Sequence, residues 1–72
     1  MRVRKFSPID REDPIFEVLD DAGNPLFDIS RSDAGFLEIA FSGAVANQVF
    51  LLEDFRRALD EAIALALAAS PD

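Results

Sequence analysis

The centre of the chain alternates. Ile15 to Asp20, Leu26 to Ser30 and Phe36 to Phe41 are short runs rich in Phe, Ile, Leu and Val, in which successive residues fall on opposite sides. A period of two in such residues predicts strands. Asp21-Ala22-Gly23-Asn24 fills the first gap and Ser32-Asp33-Ala34-Gly35 the second. Gly and Asn accept the positive φ that tight hairpins demand, so the three runs read as an antiparallel meander. Residues 2–6 read as a further short strand, with Val3 and Lys5 on one side and Arg2, Arg4 and Phe6 on the other. Pro8 and Pro14 bracket a polar loop, Ile9 to Asp13.

Ser42-Gly43 breaks the pattern, and Ala44 to Phe50 reads as a loop with a few extended residues. From Leu51 the period becomes that of a helix. Leu52, Phe55, Leu59, Ala62, Ile63 and Ala66 form one apolar stripe. Glu53 and Asp54 favour the dipole in the first turn, and Ser70-Pro71 supplies a stop. The expected fold is α+β: a small antiparallel meander of three to four strands with one C-terminal α-helix packed on one face. Its parts are an N-terminal edge strand and loop over 1–14, the meander over 15–41 and the helix over 51–69.

Alternation divides the sheet into two faces. Phe16, Val18, Phe27, Ile29, Leu37, Ile39 and Phe41 share one, which should meet the helix and form the core. The other carries Ile15, Glu17 and Leu19, then Leu26, Asp28 and Ser30, then Phe36, Glu38 and Ala40. Turn lengths pair Leu19 with Leu26 and Ser30 with Phe36. Glu17, Asp28 and Glu38 then form one row of carboxylates, flanked by Ile15, Leu19, Leu26 and Phe36. Like charges directly opposite one another destabilise a sheet, and an exposed apolar patch marks a contact surface. These seven residues are the candidate partner-binding set, unless Arg2 or Arg4 on the adjacent strand neutralises the row. Leu65 and Leu67 point away from the main helical stripe and are candidates for self-association.

At 72 residues and 7.9 kDa the chain holds one core. Half of it is apolar and 29% is charged, the balance of a folding chain. Cys and His are absent and Lys5 is the only lysine, which removes thiolate and imidazole metal sites and every His- or Cys-dependent triad. The serines have no base to activate them, and the three glycines are isolated turn residues without a phosphate-binding pattern. Asp10, Glu12, Asp13, Asp20 and Asp21 do not match a calcium-loop spacing, and turn or capping duty is the expected use. Neither catalysis nor a cofactor is expected.

Seven basic against fourteen acidic residues give a net charge of −7. The acidity lies in the body: residues 1–11 carry four basic groups and one acid, the remainder three basic groups and thirteen acids. Such a field attracts cationic partners and repels nucleic acid. The apolar run Ala62 to Ala69 is too short for a bilayer, and Arg2, Arg4 and Lys5 precede no apolar signal core. A cytoplasmic protein with no membrane contact is the expectation.

The succession FEVLDDAGNPLFDIS, GFLEIAF and LLEDFRRALDEA, within Ile15 to Ala69, resembles the small acidic bacterial immunity proteins encoded beside toxins, many of them short meanders capped by a helix. The resemblance covers about three quarters of the chain and is one of style, without a signature motif. It implies an inhibitor that occludes a basic toxin domain, with Glu17, Asp28, Glu38 and their apolar neighbours as the contact set. A structural homodimer or an accessory subunit of a larger assembly is the alternative class. An inhibitor imitating nucleic acid is the third.

Overall fold

The computed structural model describes residues 1–69. Four strands run in order, β1 (Arg2–Phe6), β2 (Ile15–Leu19), β3 (Pro25–Arg31) and β4 (Leu37–Phe41). A 3-10 turn at Gly43–Val45 and the helix α1 (Leu52–Ala68) follow. The sheet order is β1-β2-β3-β4 and each neighbouring pair is antiparallel. The expected α+β meander with one C-terminal helix is the observed architecture. Ala44 to Phe50 contains no strand; turns occupy its first half, with Gln48 N–H donating to the Val45 carbonyl at 3.1 Å.

The two central hairpins use one turn chemistry. Asp20-Asp21-Ala22-Gly23 and Ser32-Asp33-Ala34-Gly35 each place glycine fourth, at φ +88° and +89°. In each, the glycine N–H donates to the carbonyl of the first residue, Asp20 (3.0 Å) or Ser32 (2.9 Å). The first side chain finishes the turn: Asp20 Oδ1 accepts from Ala22 N–H and Asn24 N–H, and Ser32 Oγ accepts from Phe36 N–H. A type I turn closed by a left-handed glycine is the three-residue hairpin loop. A side chain at either glycine would strain that geometry.

These turns correct the expected register. Ser32 N–H donates to the Phe36 carbonyl at 2.8 Å, so Ser32, not Ser30, stands opposite Phe36. Ser30 then faces Glu38, and Asp28 faces Ala40. In the first hairpin Leu19 pairs with Pro25 rather than Leu26, and Val18 with Phe27. Leu26 is therefore the extra residue of a β-bulge, and its side chain joins the core instead of the outer face.

The main core cluster is Phe16, Val18, Leu26, Phe27, Ile29, Ala58, Ala62 and Ala66, and Leu19 is also fully buried. The three alanines recur every fourth residue and form the buried ridge of α1. Phe27 stacks on Phe55 with ring centroids 5.2 Å apart, tying β3 to the first turn of the helix. Glu53 and Asp54 occupy that first turn, and at the far end Ala69 N–H closes on the Leu65 carbonyl at 3.0 Å. The expected Ser70-Pro71 stop lies outside the described residues.

One expectation about the core needs correction. α1 packs on β2 and β3, then β1, and leaves β4 largely uncovered. Leu37 is half-buried, but Ile39 and Phe41 stay 41% and 58% exposed. The large residues of the helix stripe shift correspondingly: Phe55, Leu59 and Ile63 are half-buried and Leu52 is exposed. Leu65 and Leu67 are exposed, covered by neither β1 nor the loop that follows it.

Candidate functional site

The outer face of the sheet does not present three free acids. Arg4 stands opposite Glu17 on β1, and its Nη2 reaches both carboxylate oxygens at 3.3 Å. Glu17 stands opposite Asp28, as the spacing predicts, but Glu38 is displaced to Ser30. The row across the sheet is thus Arg4, Glu17, Asp28, Ala40. Of the seven candidate residues, Leu19 and Leu26 are buried, Ile15, Glu17 and Asp28 are half-buried, and Phe36 and Glu38 are exposed.

Asp28 carries the strain of this arrangement. Partial burial, and then the Glu17 carboxylate opposite, raise its pKa, while the Arg11 guanidinium pulls it back. A carboxyl with a raised folded-state pKa opposes folding wherever it is ionised in both states. It stops doing so as pH falls through that folded-state value. Asp28→Asn should therefore stabilise the domain at neutral pH by up to about 1 kcal/mol, a few degrees in Tm. The gain should fade as pH drops through the titration of Asp28. Parallel thermal melts across the acid range check both parts, and a variant less stable than the parent at pH 7 contradicts them.

Asp20 shows the opposite case. Hydrogen bonds from Asn24 N–H (2.8 Å), the Asn24 side chain (3.2 Å) and Ala22 N–H (2.9 Å) hold its carboxyl below the ordinary range, partly countered by desolvation. Its carboxylate serves the turn. Among the described residues no group of three acids is placed to hold a metal ion.

The meander brings together acids that are distant in sequence. In an up-and-down sheet alternate loops share one end, so the loop after β1 meets the β3–β4 turn. Between them lies a cleft of about 450 Å³ lined by Asp10, Arg11, Glu12, Asp13, Arg31, Ser32, Asp33 and Gly35. Both arginines there are engaged by backbone carbonyls. Arg11 Nη2 donates to Arg31 O at 2.7 Å, and Arg31 Nη1 donates to Gly35 O at 3.0 Å. The ion pairs among the described residues are Arg4–Glu17 and the N-terminal amine with Asp21, which leaves the four cleft carboxylates unpaired. Phe36, 72% exposed, follows Gly35 at the same end of the molecule.

A second open surface lies on the helix side of the sheet. Ile29, Leu37 and Ile39 face Leu59 and Ile63 across a groove of about 290 Å³, which Glu38 also borders. It exists because α1 meets β4 at the Phe41 end, where the Phe41 and Phe55 ring centroids lie 6.5 Å apart, and leaves the rest of the strand largely uncovered. The groove was not legible as a site, because the alternation shows only that Leu37, Ile39 and Phe41 share the helix face. No described helix is long and apolar enough to cross a membrane.

No family model, curated protein or solved structure matches the chain.

Proposed function

We propose that this chain is a non-enzymatic protein-binding module, an immunity-type inhibitor that occludes a basic protein partner in the cytoplasm. The observation that carries this reading is the cleft between the β1–β2 loop and the β3–β4 turn. Asp10, Glu12, Asp13 and Asp33 line it without an ion-pair partner, and both of its arginines are engaged by carbonyls. Carboxylates too dispersed for a metal still suit the guanidinium or ammonium groups of a protein surface. Phe36 and Glu38 stay accessible on the sheet, an aromatic anchor and a further acid at the rim. The net charge of −7 supplies long-range attraction.

The test is capture from the native cell lysate by the tagged parent and by the triple variant Asp10→Lys, Glu12→Lys, Asp33→Lys. The parent should retain a stoichiometric basic protein, less of it as salt rises. The triple variant should associate about tenfold more slowly or worse, since rim charges act chiefly on association. Equal capture by the two proteins would remove the cleft from the account.

A further inference from the structure

The two edges of the sheet differ. β1 carries Arg2, Arg4 and Lys5, the charged side chains that keep an edge strand from pairing with another chain. β4, Leu37-Glu38-Ile39-Ala40-Phe41, has no lysine, proline or bulge. Its backbone is open in a definite pattern. Ser32 and Phe36, and Leu26 and Ser42, are bonded at the two ends of the hairpin, so the bonded pairs between them are Ser30 with Glu38 and Asp28 with Ala40. The N–H and C=O groups of Leu37, Ile39 and Phe41 therefore point outward from the free edge. The same three residues turn their side chains to the face that α1 leaves uncovered.

That face extends onto the helix. Leu52, Leu59, Ile63 and Leu67 follow one flank of α1 at spacings of seven, four and four, and Leu59 and Ile63 line the groove against β4. Arg56 and Asp60 fall along the same flank and Glu38 lies at the groove, and among the described residues none of the three forms an ion pair. Across this surface the net charge is one negative against −7 for the chain. This separates the surface from the acidic cleft and suits it to a second copy, which a like-charged face would repel.

The strand is also complementary to itself. Antiparallel pairing about a two-fold axis at Ile39 sets Ile39 opposite Ile39, Leu37 opposite Phe41 and Glu38 opposite Ala40. Each open-edge pair exchanges two backbone hydrogen bonds. The apolar side chains meet on the helix side, and no acid faces an acid. We propose that β4 is the seam of a homodimer, in which two copies join edge to edge into one continuous sheet and close the apolar surface between β4 and the Leu52–Leu67 flank. The proposal does not rest on the inhibitor reading: the seam uses β4 and the helix flank rather than the acidic cleft, and Glu38 is common to both readings.

Sedimentation of the full chain across a concentration series tests it, combined with amide hydrogen exchange of the parent by NMR. The parent should reach twice its chain mass of 7.9 kDa, and added salt should not dissociate it. The Leu37, Ile39 and Phe41 amides should be protected in the dimer and lose protection on dilution. Ile39→Pro removes an outward-facing donor and no bond to β3, and Ile39→Lys places a charge in the seam. Each should raise the dissociation constant by about a hundredfold or more. A chain that stays monomeric throughout overturns the proposal. So does a dimer whose β4 amides exchange freely, or one that survives Ile39→Lys and breaks with Leu65→Glu. The exchange measurement uses the parent alone, so a variant that fails to fold leaves the test intact.

Discussion

Leu26→Ala should be among the most destabilising single substitutions in the domain, while Phe36→Ala should change stability by no more than about 0.5 kcal/mol. Alternation puts both residues on the outer, partner-facing side of the sheet. The bulge opposite Leu19 separates them. It turns Leu26 into the core, where 1% of its surface remains exposed, and leaves Phe36 at 72%. Truncating a buried leucine removes apolar contacts and leaves a cavity that the neighbours fill only in part, at a cost of about 2–5 kcal/mol. A domain this small changes Tm by about 4–8 °C per kcal/mol, so the melt should move down by on the order of 20 °C. Urea unfolding of the two variants beside the parent settles the assignment. Equal, small effects would place Leu26 on the surface and dissolve the bulge.

That pair shows how far the pattern of residues reaches. Four strands, two glycine turns and one helix were legible, because period-two and period-3.6 runs separated by Gly-containing turns have few other solutions. Glu17 opposite Asp28 was legible for the same reason. The position of Glu38 was not, since a change in which turn residue closes the hairpin moves every partner on β4. Alternation assigned Leu37, Ile39 and Phe41 to the helix side correctly but could not say that the helix leaves most of β4 uncovered. One 17-residue helix does not cover a four-stranded sheet, and the choice of strands depends on side-chain bulk rather than on period. The acidic cleft was half legible: Asp10, Glu12 and Asp13 stood out as a polar loop, while Asp33 joins them only because a meander returns alternate loops to the same end.

Side-chain bulk is also what makes the alanine ridge decisive. Ala58, Ala62 and Ala66 let α1 settle close against β1, β2 and β3, with Ala62 wholly enclosed. Leucine is nearly as good a helix former as alanine, so Ala62→Leu leaves intrinsic helix stability almost unchanged and isolates the packing effect. Its extra carbons have no free volume to enter. They must lift the helix from the sheet or force off-rotamer side chains, which costs about 1–3 kcal/mol and about 5–20 °C in Tm. Ala64→Leu, two residues along on the exposed side, should stay within about 0.5 kcal/mol of the parent. Thermal melts of the two variants compare one substitution in two environments. If Ala62→Leu melts with the parent, the ridge does not seat the helix, and the open groove beside β4 needs a cause other than the low seat of α1 over the first three strands.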